Sequence, residues 1–242
     1  MSGLPRAILF DLDDTIIAAY GRPELAWTAV VGEFGADLGP LSQTAVVEAI
    51  GAAARIFWAD AERHRIWRQK MSEARREIVR AGFARLAEAG HAVPGDDFQR
   101  RLADRFSAYR TESITLYPDA HATIDALRAR GVKLALITNG AAAYQRAKIE
   151  RFELTDRFDH IQVEGEHGFG KPEEHAYRHA LKTLGVEPRE AWIVGDNLEW
   201  EVIAPQKLGL HAIWYDPPGD GVPAGHDAKP DRIIRALGEL LG

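Results

Sequence analysis

The sequence predicts an α/β fold built on a parallel sheet. Two observations carry that prediction: short apolar runs rich in branched residues recur along the chain, and from residue 118 onward they alternate with helical stretches. The runs are Ala7-Ile8-Leu9-Phe10, Lys133 to Ile137, Ile161-Gln162-Val163, Trp192-Ile193-Val194 and Ala212-Ile213-Trp214-Tyr215. Their brevity suggests buried strands. The stretches Pro118 to Arg130, Ala141 to Arg151, Glu173 to Leu184, Leu198 to Leu208 and Pro230 to Leu241 read as helices, and glycines at 131, 185 and 209 mark where three of them end.

Residues 20 to 113 differ, because they hold almost no strand-like run and read as several helices inserted after the first strand. Trp67, Met71, Ala74, Ile78 and Ala81 follow a 4,3,4,3 spacing that predicts one long helix with an apolar packing stripe. Residues 60 to 80 carry seven Lys or Arg against four Asp or Glu, a pattern that fits a solvated helix face better than a nucleic-acid patch. The run from 216 to 229 is rich in Pro and Gly and reads as a loop.

Composition sets limits. A length of 242 residues suits one large domain with an insert or two domains, and a net charge of -6 argues against generic binding to nucleic acid or anionic membrane. With no cysteine, disulfides, thiolate metal sites and a cysteine nucleophile are excluded. The apolar run Ala7 to Phe10 is too short for a signal-peptide core or a membrane span, so a cytoplasmic protein is expected.

Four strand ends carry candidate chemistry. The first strand runs into Asp11-Leu12-Asp13-Asp14-Thr15, where alternation on an extended chain sends Asp11 and Asp13 to one side. An isolated D-x-D is more often a helix cap, but here the first aspartate directly ends a buried strand. Close carboxylates repel, so one is protonated or a hard cation such as Mg²⁺ holds them, and Asp196 in Gly195-Asp196-Asn197 offers a third. Thr138-Asn139-Gly140 ends another strand and opens a helix, which suits an anion. Lys171, between Gly170 and Pro172, can supply a fixed positive charge. In sheets of this type ligands bind beyond the carboxyl ends of the strands, where all four segments lie.

On these residues the sequence resembles the haloacid dehalogenase superfamily, whose four motifs match Asp11-Leu12-Asp13-Asp14-Thr15, Thr138, Lys171-Pro172 and Gly195-Asp196 in order. The resemblance implies a Rossmann-like core over residues 1-19 and 114-242, with strand order 5-4-1-2-3 and a helical (C1-type) cap over 20-113. It further implies a magnesium-dependent phosphatase of small phosphorylated metabolites. Asp11 would attack phosphorus, Asp13 would serve as acid and base, and Thr138 and Lys171 would hold the phosphoryl group, with Asn139 and Gly140 beside them. Asp196 would bind Mg²⁺ with Asp11 and the backbone carbonyl of Asp13. Glu201 stands where many relatives carry aspartate.

A dehalogenase would use the same nucleophile on carbon, but dehalogenating relatives lack an acid at Asp13, since halide leaves without a proton. A phosphonatase would need a Schiff-base lysine in the insert, where Lys70 is the one lysine. A non-catalytic binding protein would have little use for Asp11, Asp13, Lys171 and Asp196 together. His175 and His179, four apart, could face a metal, yet no H-E-x-x-H is present and the pair reads as a surface coincidence. The glycine-rich Gly165 to Gly170 matches no nucleotide fingerprint and reads as the loop that presents Lys171. Trp58, His64, Arg65, Trp67 and Arg68 are candidate specificity contacts. No membrane or nucleic-acid partner is expected, and the sequence does not speak to oligomeric state.

Overall fold

The computed structural model of the protein describes residues 3–242, and its packing divides the chain into two compact units. One unit joins the residues up to Ala18 with Thr115–Gly242, and the other is Ala19–Ile114.

Along the chain, β1 (Ala7–Phe10) and the short β2 (Ile17–Ala18) come first, followed by the helical unit with α1 (Pro23–Glu33), α2 (Gln43–Trp58), α3 (Ala61–Trp67), α4 (Met71–Glu88) and α5 (Asp96–Glu112). The chain then returns through β3 (Thr115–Leu116), α6 (Ala120–Ala129), β4 (Lys133–Thr138), α7 (Ala142–Arg151), β5 (His160–Val163), the single turn α8 (Glu164–His167) and α9 (Glu174–Leu184). It finishes with β6 (Ala191–Gly195), α10 (Ala204–Gln206), β7 (His211–Tyr215) and β8 (Arg232–Ile234).

The main sheet has the order β8-β7-β6-β1-β4-β5 with every pairing parallel, while β2 and β3 form a separate antiparallel pair. Counted along the chain the main sheet reads 6-5-4-1-2-3, which is the expected five-strand order with one more strand at its edge. β1 lies at the centre, paired on one side through Phe10↔Leu136 and on the other through Phe10↔Val194. All four of its residues are buried, as the unbroken apolar run requires of a strand covered on both faces. α9 covers one of those faces. Ala176, Tyr177, Ala180, Leu181 and Leu184 make its inner stripe and pack with Leu9, Ile137 and Ile193.

The sixth strand corrects the expected helix at Pro230 to Leu241. Asp231 accepts the Ala212 N–H at 2.8 Å and its own N–H donates to the Ala212 carbonyl, so Ile233 and Ile234 enter the β7 ladder. Branched residues favour that choice, and Leu237 to Leu241 form only a 3₁₀ turn. A second correction falls at Leu198 to Leu208. Leu198–Ile203 winds as a wide π-type turn before the brief α10, because Pro205 has no N–H to donate into the preceding turn.

The helical unit has its own core, in which Trp27 stacks on Phe106 with ring centroids 3.6 Å apart and Val30, Ile50, Val79, Phe83 and Leu102 close around them. Buried Arg110 donates to the Ala19 carbonyl at 2.5 Å and to the Gly21 carbonyl at 3.3 Å. The helix expected across Trp67 to Ala81 is broken: α3 ends at Trp67, and α4 begins at Met71. Its inner face is Ala74, Ile78, Val79, Phe83 and Leu86, with Ala81 turned to solvent. Among the described residues no helix is long and apolar enough to cross a membrane.

Candidate active site

The Asp11 N–H donates to the Val194 carbonyl at 2.9 Å, carrying the β1 ladder one residue past the strand. The chain then turns tightly. The Leu12 carbonyl accepts from Ile16 and Ile17, and Asp14 adopts φ 59°, a left-handed conformation that aspartate tolerates better than most residues. The Thr15 hydroxyl donates to Asp11 Oδ2 at 3.2 Å. No helix starts here, so the alternative in which Asp13, Asp14 or Thr15 caps one is not realised.

Lys171 is buried and spans two carboxylates, with Nζ 2.5 Å from Asp11 Oδ1 and 2.7 Å from Glu201 Oε1. Its backbone is clamped by Asn139, whose carboxamide accepts the Lys171 N–H at 2.9 Å and donates to the Lys171 carbonyl at 2.7 Å. The preceding Gly170 leaves no room for a side chain, since a Cβ there would lie 2.5 Å from Asn139 Oδ1. The peptide bond from Lys171 to Pro172 is cis.

For Asn139 and Gly140, where the sequence suggests substrate contact, the structure gives partners within the protein. The Asn139 carboxamide is committed to Lys171, and the Gly140 N–H donates to Glu164 Oε2 at 2.9 Å, so these groups position the loop. An anion does sit at the start of this turn, but it is the protein's own carboxylate.

Asp13 is held from α7. Lys148 Nζ lies 2.5 Å from Oδ1 and 2.7 Å from Oδ2, and Gln145 Nε2 donates to Oδ2 at 2.9 Å and also to the Thr138 hydroxyl. The sequence reading missed Gln145 and Lys148. The available signal was their spacing: with Ile149 they occupy i, i+3 and i+4, so the polar pair shares the inward face of the helix.

Four shifted groups define the electrostatics. Burial raises the Asp11 carboxyl against the pull of Lys171, with Asp13 adding repulsion. Glu201, wholly buried, is pushed up to about 7 by desolvation, again opposed by Lys171. Asp196 keeps solvent-accessible surface but is ringed by protein, and desolvation with the charges of Asp11, Glu201 and Asp14 drives it well above the usual carboxylate range. Burial disfavours the Lys171 ammonium, yet Asp11 and Glu201 more than offset it and hold its pKa above the lysine norm.

One lysine thus faces the carboxylates of Asp11, Asp196 and Glu201, an excess of negative charge presented by oxygen donors alone. Glu201 Oε1, although close to Lys171, takes no well-directed hydrogen bond. This donor set fits a hard divalent cation.

Glu201 reaches the site by passing over Gly195, where a Cβ would lie 2.2 Å from Glu201 Cγ. Gly195→Ala is therefore expected to expel the Glu201 stem and cost about 1–3 kcal/mol, the usual range for overpacking. Urea unfolding checks this, and an unchanged midpoint would contradict it.

A family model described as haloacid dehalogenase-like hydrolase matches residues 5–209. The phosphoserine phosphatase of Thermus thermophilus is 32% identical over 221 residues, covering 90% of this chain and 78% of that protein. The ribulose-1,5-bisphosphate 5-phosphatase of Halopiger xanaduensis is 30% identical over 243 residues, covering 97% of both. Among solved structures, a 2-haloacid dehalogenase from Pseudomonas syringae aligns over 98% of both chains with a TM-score of 0.60 and 26% identity.

Proposed function

The chain belongs to the haloacid dehalogenase-like hydrolases, and from that premise we propose that it is a magnesium-dependent phosphatase of small phosphate monoesters working through an aspartyl phosphate on Asp11. The observation that carries this reading is Asp13, two residues beyond the nucleophile and held in place by Lys148 and Gln145. A leaving alkoxide needs a proton and a leaving halide does not, so an anchored acid and base at this position favours phosphate esters over carbon–halogen bonds.

In the proposed cycle the substrate's phosphoryl group sits against Lys171 and the Thr138 hydroxyl, and Asp11 attacks phosphorus. Asp13 protonates the departing oxygen and then takes a proton from the water that cleaves the aspartyl phosphate. Both side chains on Asp13 are donors and so fit its carboxylate. The base step uses those contacts as they stand, and the acid step requires Asp13 to give one of them up. Asp11, Asp196 and the backbone carbonyl of Asp13 would hold Mg²⁺. When bound, it neutralises charge on the phosphoryl oxygens, which together with Lys171 offsets the repulsion between a carboxylate and a phosphate dianion.

In this reading residues 20–113 act as the cap that selects the organic part of the substrate, with Trp58, His64, Arg65, Trp67 and Arg68 as its candidate contacts. Cytoplasmic residence belongs to the same proposal, and the absence of cysteine suits a reducing compartment.

The test is phosphate release from a panel of phosphorylated metabolites, with Mg²⁺ and with EDTA, beside halide release from a 2-haloacid. Metal-dependent phosphate release is the expected result. Halide release without phosphate release would overturn the reading in favour of the dehalogenase, and neither product would favour a non-catalytic protein.

A further inference from the structure

We propose that His160, His167 and His179 form a second metal site, for a divalent transition ion of the Zn²⁺ type, which clamps the base of the loop carrying Lys171. The fold brings them together from three neighbouring elements: His160 opens β5, His167 closes α8 and His179 lies on α9. The Lys171 loop runs between the last two. One ring nitrogen from each of the three lies within 4.8 Å of the other two. Three nitrogens bound tetrahedrally at about 2.0–2.1 Å are about 3.3 Å apart, so the rings need to close by only about 1.5 Å.

The hydrogen bonds leave one nitrogen on each ring open to a metal. His179 Nδ1 lies 2.9 Å from Gln162 Oε1, and His167 Nδ1 lies 3.1 Å from the Val163 carbonyl. Both partners are acceptors. The Gln162 amide cannot be reversed without loss, because its Nε2 donates to the Ala176 carbonyl at 3.0 Å. Each Nδ1 therefore carries its proton, and each Nε2 keeps its lone pair, the arrangement in which an outer hydrogen bond orients a metal-binding imidazole. On the third ring, His160 Nε2 is buried without a hydrogen-bond partner. A buried polar nitrogen in that state is costly unless something binds it.

Charge around the cluster permits a cation. Arg146 acts on His160, but its guanidinium is paired with Glu166 at 2.7 Å through both Nε and Nη2. Phe169 packs beside His167 and His179 with ring centroids 5.6 and 5.4 Å away, giving the site an apolar wall. His175, the partner that spacing alone would assign to His179, is exposed and is not part of the triad. Imidazole ligands with no carboxylate among them favour Zn²⁺, Co²⁺ or Ni²⁺ over Mg²⁺, so the two sites differ in the ions they select.

The experiment is a Co²⁺ titration of the metal-stripped protein in excess Mg²⁺, read by visible absorption and by calorimetry. The expected result is one bound Co²⁺ with the intense visible band of tetrahedral coordination, retained in Asp196→Asn. His167→Gln and His179→Gln should each weaken it by at least about 10-fold, the smallest loss usual for disturbing a metal's surroundings. Circular dichroism of both variants guards against reading misfolding as lost affinity. Absence of a Mg²⁺-resistant Co²⁺ site, its loss in Asp196→Asn, or equal affinity in the folded histidine variants would each overturn the proposal. Because Asp196→Asn serves as a control rather than as the target, this result is independent of whether the protein is a phosphatase.

Discussion

Asp11→Asn is expected to lower kcat by about 10⁴-fold or more, the scale on which loss of a covalent nucleophile is felt. Asp13→Asn, two residues away, is expected to give a different failure. With p-nitrophenyl phosphate the leaving group needs little help from an acid, so Asp11 still becomes phosphorylated in that variant. Hydrolysis of the aspartyl phosphate then lacks its base and slows by about 10²–10⁴-fold. Rapid quench followed by hydroxylamine trapping should find label on Asp11 in Asp13→Asn and none in Asp11→Asn. Both variants keep a hydrogen-bonding side chain of the same size, so Lys171 and Lys148 each retain an oxygen to bond. Label in the Asp11→Asn protein would remove Asp11 from the nucleophile's role, and steady turnover in Asp13→Asn would remove Asp13 from the base's.

Much of this candidate site is legible in the sequence for a local reason. Most of the candidate side chains stand at or just past the end of a strand whose apolar run is unmistakable, and a parallel sheet aligns such ends by construction. Asp11 follows Phe10, Thr138 ends β4, and Asp196 follows Gly195, so strand identity alone carried them to one edge. Lys171 is the exception, since it lies in a loop. What fixes it is Asn139, whose carboxamide grips the Lys171 backbone from 32 residues away in sequence.

What was not legible depended on pairings between distant segments. Lys148 reaches Asp13 across 135 positions, and nothing in the sequence of α7 distinguishes its lysine from a solvated one except the inward phase it shares with Ile149. The chemistry of Asn139 and Gly140 suits an anion, and their sequence does not show that the carboxamide bonds the Lys171 backbone and the N–H bonds Glu164. The edge strand β8 was hidden because its short run, Arg232–Ile234, gains its ladder only through the contact between Asp231 and Ala212. The break at Trp67 likewise interrupts a spacing that, on periodicity alone, continues through it.

Lys171→Met should separate stability from chemistry at this site. Lys171 is the buried cation between Asp11 and Glu201, so removing it leaves two buried carboxylates facing each other and, in the proposed cycle, takes away a stabiliser of transition-state charge. A loss of about 10²–10³-fold in kcat follows from the lost stabiliser. The stranded carboxylates should cost about 3–5 kcal/mol, as breaking a buried ion pair does. Glu201 is already pushed up to about 7 with the lysine present, above the ordinary range of a glutamate. An acid whose folded pKa is raised favours the folded state while protonated and loses that advantage as pH climbs through the folded value. The deficit of the variant should therefore be smaller at about pH 5 than at about pH 8. Adding Glu201→Gln removes one of the stranded charges, so Lys171→Met/Glu201→Gln should regain part of the lost stability near neutral pH without regaining activity. Urea unfolding in the absence of metal, across that pH range, measures the first expectation, and phosphate release with Mg²⁺ measures the second. A double variant no more stable than the single one would show that Glu201 is not the charge Lys171 neutralises. Wild-type turnover in Lys171→Met would show that the lysine does not act on the phosphoryl group.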